Sequence, residues 1–406
     1  MDPNPRCTKC GRALPWGLTK CPHCSEHHGY FWSLGRNTFL LFTFVLLIVM
    51  FVATGFTVKF YHAVERGLAE DWYGQGEQEL KDGHPEVALT DFRNALSYSR
   101  DNPLYQLRLA QALAAAGRRQ EARTYLENIW EREPGNGTVN LELARLAVRE
   151  HAAPEALRYF HDAIFGEWNV NPVVQRRAAR FELVDFLLDS NQKAAARSEL
   201  IELETDLPPD ANLETKVGRL LLKVSGYDDA LRLFRQALAT QPHLAPALEG
   251  AGECYFQTGQ YAPALRYLER AVEQDPNWED AGRMRDTAQA VLDLDPFNRR
   301  LGNQERAQRT LRAYAQAMER LETCAVQRGI DLKVKGTDAL QTLAARASAL
   351  EPRVRERNLS RDPELLSSTM DLVFEIEQTA SRECGKPQGS DLALLLIARE
   401  QGGARP

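Results

Sequence analysis

The 406-residue sequence predicts an all-α fold: a solenoid of stacked helix pairs followed by a small helical bundle. Three observations predict it. Small and large apolar residues recur with a period of about thirty-four from Ala69 to Asn277. Strand-like alternation is nearly absent after Trp72, while Ala, Leu, Arg and Glu dominate at helical spacing. The length exceeds what one hydrophobic core usually organises, so two or more domains are expected. A single helix pair cannot bury its apolar face, so the units must stack on one another. The net charge of −6 is mild for this size and argues against a nucleic-acid surface covering the chain.

Each unit carries the same punctuation. Trp72, Gly76, Gly83, Ala88, Phe92 and Ala95 mark the first. Ala110, Gly117, Ala122, Leu126, Ile129 and Pro134 mark the second, and Ala144, Ala156, Phe160 and Ala163 the third. Gly218, Ala230, Phe234, Ala237 and Pro242 belong to the fifth, and Gly252, Tyr255, Gly259, Ala264, Leu268, Ala271 and Pro276 to the sixth. Small residues suit close helix crossings, large ones fill the gaps, and Pro ends the second helix. On these residues the segment resembles a tetratricopeptide-repeat (TPR) array over a little over half the chain. The resemblance implies a protein-binding scaffold, and it leaves the partner open. From Phe165 to Gln175, Trp168, Asn171 and Pro172 replace the expected connection, with about six extra residues before the fourth unit. That unit's helices are expected at Arg177–Ser190 and Gln192–Thr205. The insertion is expected to bend the array or widen a turn, or to form a partner-specific elbow.

The amino terminus is the exception to the helical pattern. Cys7, Cys10, Cys21 and Cys24 form two Cys-x-x-Cys knuckles, the spacing with which four thiolates converge on one tetrahedral zinc ion. Gly11, Pro15 and Gly17 supply turns, and residues 1–30 resemble the zinc-ribbon modules of many microbial proteins. A disulfide pair or redox site competes, but redox knuckles normally sit on a strand-to-helix turn of a larger α/β domain. Four thiolates fill the coordination sphere, so one structural zinc is expected. His23, His27 and His28 could replace a thiolate but read as exposed neighbours. Arg6, Lys9, Arg12, Lys20 and Arg36 make the segment basic, yet the zinc–thiolate centre cancels much of that charge. Trp16 either covers the small core or stacks on a partner, and no nucleic-acid partner is expected.

Residues 37–58 carry no charge, and the run from Phe39 to Ala53 is strongly apolar. At ~1.5 Å per residue the stretch crosses a hydrocarbon core of ~30 Å. Tyr30, Phe31 and Trp32 on one side and Phe60 and Tyr61 on the other suit the two interfaces. A buried core helix would be shorter, and a cleaved signal peptide would need an n-region holding a metal module. A single-pass anchor is therefore expected. Five Lys or Arg precede it, and Lys59, Arg66 and Lys81 follow, which favours a cytoplasmic amino terminus and an extracytoplasmic array.

Helices are expected over 69–296 in the repeats, and beyond Pro296 at Gln304–Arg328, Thr337–Leu350, Pro363–Glu383 and Asp391–Glu400. Asp362 is the expected N-cap of the third of these, with Pro363 at its first position. The bundle, residues 297–406, is expected to pack on the last repeat. An up-down-up arrangement would bring Cys324 and Cys384 together, and an oxidising compartment could join them; two unrelated buried thiols is the alternative. Cys254 reads as a buried small hydrophobe.

No catalytic constellation is present in the sequence: no Gly-rich phosphate loop, no His-Glu-x-x-His, no nucleophile elbow. No enzyme activity and no small-molecule substrate are expected; a polar pocket among Arg353, Arg355, Glu375 and Glu377 would argue otherwise. A protein partner is expected in the concave groove lined by the first helix of each unit. Its candidate residues are Tyr73, Glu77, Gln111, Arg145, Arg149, Asp185, Asp189, Lys216, Arg219, Lys223, Glu249, Glu253 and Phe256. Their signs alternate from unit to unit, which suits either a partner of mixed charge or pairing between neighbouring units. The terminal-carboxylate clamp of the chaperone-tail-binding subclass has no counterpart, since Tyr73 and Glu77 stand in its place. The leading expectation is a membrane-anchored scaffold organising envelope proteins. The alternatives are a non-catalytic subunit of a membrane complex, or a cytoplasmic-facing membrane adaptor that regulates an envelope or lipid-synthesis enzyme. That reading rests on a loose resemblance to membrane-anchored repeat proteins carrying a rubredoxin-like module.

Overall fold

A computed structural model describes residues 6–15, 18, 20–26, 36–334 and 336–401, with side chains described from residue 39 onward in the first helix. Trp16, Gly17, His27, His28, Tyr30, Phe31 and Trp32 lie outside the described residues, as does the side chain of Arg36. The chain divides into two compact units, Met1–Ala179 and Arg180–Pro406. Among the described residues the only β-pairing is a pair of isolated bridges, so the class is all-α.

The first unit begins with the two cysteine knuckles and continues into a single helix, α1 (Arg36–Lys81). Five helices follow: α2 (Pro85–Tyr98), α3 (Pro103–Ala115), α4 (Arg119–Arg132), α5 (Gly137–Arg149) and α6 (Ala153–Phe165). Each packs on its sequence neighbours. The apolar stretch and the first repeat helix are thus one 46-residue element rather than two. From Phe39 to Phe60 its large apolar side chains are bare, whereas Ala69 is fully buried and Trp72 and Tyr73 pack beneath α2 and α3.

The boundary between the units falls within α7 (Pro172–Asp189). The second unit continues with α8 (Lys193–Thr205), α9 (Ala211–Lys223), α10 (Tyr227–Thr240), α11 (Ala245–Gln257), α12 (Tyr261–Gln274) and α13 (Glu279–Leu294). The C-terminal helices are α14 (Asn303–Arg328), α15 (Ala339–Leu350), the short α16 (Glu356–Leu359), α17 (Pro363–Glu383) and α18 (Gly389–Gln401). Within this unit α18 lies on α13, and Tyr261, Ala288 and Val291 share one core with Leu321, Met370, Ile376 and Leu394. Asp362 caps α17 by accepting from the Glu364 and Leu365 N–H groups.

The repeat is written in the backbone more regularly than in the side chains. The turn inside each helix pair holds one residue in the left-handed region: Gly83, Gly117, His151, Asn191, Ser225 and Gly259. These positions lie thirty-four residues apart except between His151 and Asn191, where the interval is forty. In each turn the following N–H reaches back to a carbonyl of the preceding helix, as in Gln192 N to Leu187 O (2.8 Å) and Gly226 N to Leu221 O (2.9 Å). This is the Schellman closure, and it satisfies the last carbonyls of the first helix. The close crossings fall at the expected small residues. A Cβ on Gly76 or Gly218 would stand 2.8 Å from the ring of Phe92 or Phe234, and one on Gly252 would stand 2.6 Å from Leu268.

The insertion is a folded turn. The Glu167 N–H donates to Gly135 O (2.7 Å), and the Gly137 N–H donates to Glu167 O (2.8 Å). The indole Nε1 of Trp168 donates to Ala163 O (2.9 Å), and its ring lies so close to Gly137 that no Cβ fits there. Asn171 turns the chain with φ 46°, and Pro172 opens α7. That helix was expected from Arg177; Pro172 starts it because a first-turn N–H needs no intrahelical acceptor.

Candidate metal centre and partner-binding groove

The two knuckles have the same backbone. In the first, the Cys7 N–H donates to Arg12 O (2.8 Å) and the Gly11 N–H to Cys7 O (2.9 Å). In the second, the Cys21 N–H donates to Glu26 O (3.0 Å) and the Ser25 N–H to Cys21 O (2.9 Å). Gly11 and Ser25 both take positive φ, which folds each chain back so that two sulfurs face one side. All four sulfurs of Cys7, Cys10, Cys21 and Cys24 lie within 4.8 Å of one another. The Cys7–Cys24 and Cys10–Cys21 separations are 3.4 and 3.7 Å. Zn–S bonds of about 2.3 Å in a tetrahedron place sulfurs about 3.8 Å apart, so the arrangement fits one such ion. Leu14 is buried against Cys7 and Cys21, and Lys9 pairs with Glu26 at 2.9 Å. His23 is exposed outside the cluster.

In the first unit the inner helices are joined by a polar chain. Glu77 on α1 pairs with Arg108 on α3 at 2.9 Å, and Arg108 donates to Gln111 (2.7 Å). Gln111 donates to Glu142 on α5 (2.7 Å), which also accepts from Arg145 (2.7 Å). Arg149 reaches the Ala114 carbonyl at 3.4 Å. Tyr73 stacks on Tyr105 with ring centroids 5.1 Å apart. The groove residues of this unit therefore engage their own neighbours. Arg108 and Glu142 complete the chain and were not singled out in the sequence; each stands thirty-one residues after its partner, Glu77 and Gln111, about one helical turn short of the repeat period.

In the second unit the ammonium of Lys216 lies 4.0 Å from the Phe181 ring centroid. Lys223, Asp185 and Asp189 are exposed. Arg219 stands 3.7 Å from Glu249 and over the Trp278 ring. Glu249, only 5% exposed, borders an open cleft of about 590 Å³ that Glu253 and Phe256 also line. Burial pushes the Glu249 carboxyl up to about 7, with Arg219 opposing the shift and Glu253 and Asp280 adding to it. Burial likewise raises Glu253. Met284 on α13 and Leu392 on α18 close the cleft. Sequence reasoning missed these two walls because nothing local in Leu392 says that α18 docks on α13.

The structure brings Cys324 and Cys384 together, with Cα atoms 5.5 Å apart, at the ends of α14 and α17. Cys254 is buried, which holds its thiol up at about 12. The four residues of the conditional pocket are not gathered. Glu375 pairs with Arg346, Arg353 lies 3.8 Å from Asp362, Arg355 is exposed, and Glu377 is fully buried in the bundle.

The sequence profile of the tetratricopeptide repeat matches residues 79–129, 113–164 and 221–286. No curated protein matches the chain. Among solved structures, YrrB, described as a TPR protein with an unusual peptide-binding site, is 20% identical over 47% of this chain and 95% of its own, with a TM-score of 0.38. PilF of Pseudomonas aeruginosa is 14% identical over 54% of this chain and 96% of its own, with a TM-score of 0.40. A tetratricopeptide repeat protein of Parabacteroides merdae is 14% identical over 76% and 99%, with a TM-score of 0.38. The helix pairs, the thirty-four-residue interval of their turns and the profile agree: the chain carries tetratricopeptide repeats.

Proposed function

We propose that the protein is a single-pass membrane scaffold whose repeats bind proteins of the cell envelope, with a structural zinc ribbon on the cytoplasmic side. The carrying observation is α1: its apolar amino-terminal part is bare and runs without a break into the first repeat. Exposed apolar surface on that scale calls for a lipid or protein environment. A continuous helix also ties the orientation of the first repeat to that of the span. The Lys/Arg bias supports an amino terminus on the inside. The two groups of cysteines support the same orientation. Four converging thiols suit a reducing, metal-supplied compartment, and a joined pair suits an oxidising one. In the ribbon, Cys7, Cys10, Cys21 and Cys24 would hold the ion, leaving no open position for chemistry.

The test is protease accessibility of the C-terminal bundle in intact cells stripped of any outer wall. Digestion without lysis supports the orientation. Protection until lysis moves the array into the cytoplasm and favours the adaptor that acts on an envelope or lipid-synthesis enzyme. A chain released from membranes by alkaline carbonate ends the anchor reading altogether.

A further inference from the structure

The cleft between α11, α13 and the start of α18 has a chemistry that the repeats alone do not supply. Glu249 is more than nine-tenths buried, borders the cleft, and one of its carboxylate oxygens has no hydrogen-bond partner. Among the described residues its one ion-pair partner, Arg219, stands at 3.7 Å, outside hydrogen-bond reach. Glu253, one helical turn away on α11, has no ion-pair partner among the described residues. A buried carboxylate left without a donor is costly, and an arriving cation supplies what it lacks. The other charges on the rim are already matched: Asp280 pairs with Arg283, and Asp286 with Arg285.

Beside the two glutamates the wall is apolar, made by Phe256, Met284 and Leu392. A long cationic side chain fits such a surface, laying its methylenes on the apolar wall and its charge against the carboxylates. The volume of about 590 Å³ lies within the ordinary range of binding clefts, ~300–1,000 Å³. A bare divalent ion fits less well. Among the described residues only the four cysteines converge closely enough to hold one.

We infer that this cleft binds an arginine or lysine side chain of a partner polypeptide, flanked by an apolar residue, with Glu249 and Glu253 receiving the charge. The inference rests on the scaffold reading for the nature of the occupant. It also gives α18 a role, since this helix lies outside the repeats and supplies one wall.

The experiment uses the full chain in detergent micelles and short Gly/Ser peptides with a central Leu-Arg-Leu, Leu-Lys-Leu or Leu-citrulline-Leu. Citrulline keeps the shape of arginine and removes its charge. The arginine and lysine peptides should bind at least about tenfold more tightly than the citrulline peptide, as expected for a charge-assisted hydrogen bond. Glu249→Gln and Glu253→Gln should each remove most of that preference, while Glu127→Gln, far along the sequence, should keep it. Equal binding of arginine and citrulline peptides by the wild-type chain overturns the inference and needs no variant to fold. A photo-crosslinker at Lys223 in living cells separates the two readings. Capture of an envelope protein by a chain that treats both peptides alike keeps the scaffold and removes the cleft. A clear arginine preference with no protein captured removes the scaffold and, with it, the polypeptide as occupant.

Discussion

The two groups of cysteines in this chain differ in geometry and in the chemistry they suit. At the amino terminus four sulfurs lie within 4.8 Å of one another on two matching turns, a geometry that fits four thiolates around one metal ion. In the C-terminal bundle Cys324 and Cys384 are paired across sixty residues of sequence. Between the two groups runs the bare apolar part of α1. The comparison teaches that one chain carries two cysteine arrangements suited to different redox conditions, with the bare apolar part of α1 between them in sequence.

The largest effect should come from the metal. Structural zinc sites bind with about 10–16 kcal/mol and a small module has little else to hold it. Cys7→Ser or Cys24→Ser should release the ion and unfold the ribbon, while the repeat helices melt unchanged. Metal content per chain, read by atomic absorption, checks it. A purified wild-type chain that is metal-free with an ordered ribbon would break the comparison on its first side.

The second effect belongs to the bundle. Cys384→Ser, or reductant acting on the wild type, should cost about 2–5 kcal/mol of bundle stability. Denaturant unfolding followed with and without reductant measures it. A chelator should leave this transition alone. If reductant changes nothing, the pair is two thiols and the orientation argument loses one of its supports.

Much of this was legible in the sequence, and the exceptions have physical causes. The period was readable because close helix crossings admit only small residues, as Gly76 against Phe92 illustrates. The full regularity was not, since His151, Asn191 and Ser225 hold a left-handed turn that glycine holds elsewhere. Asn and His are among the non-glycine residues that most readily take that conformation. The fusion of the span with the first repeat was missed because hydropathy changes near Lys59 while the backbone meets no proline or cap. Helical spacing named a candidate groove face. Spacing could not say that Glu77, Arg108, Gln111, Glu142 and Arg145 pair along it, because that depends on how successive helices align. A polar pocket gathering Glu377 with Arg353, Arg355 and Glu375 would have argued for an enzyme. Instead α17 is covered by α14, α15 and α18, so even its polar positions are enclosed.

Glu377 provides the smallest and most discriminating prediction. It is fully buried, neither carboxylate oxygen has a hydrogen-bond partner, and burial pushes its carboxyl up to about 8. Asp391 on α18 adds to the shift and Arg320 on α14 opposes it, while Arg320 and Gln316 are themselves turned toward Asp391, at 3.5 and 3.0 Å. A carboxyl with a raised folded-state pKa keeps its proton on folding when the unfolded chain would lose it. Its contribution is therefore complete below the ordinary pKa of 4.5 and is lost as pH rises toward 8. Glu249 acts in the same direction up to about 7. With a metal bound, the cysteine knuckles would respond oppositely, because their thiolates bind protons in competition with the metal as pH falls. Acidification from pH 8 to 6 should thus tighten the bundle and loosen the ribbon within one chain. Glu377→Gln, which keeps the shape and removes the ionisation, should raise bundle stability by roughly 1–3 kcal/mol at pH 8 and by little at pH 5. Thermal unfolding of the two proteins across that range measures the difference. A wild-type bundle whose melting temperature stays level from pH 5 to 8 would mean that Glu377 ionises freely, and the opposed pH responses of the two regions would reduce to that of the ribbon alone.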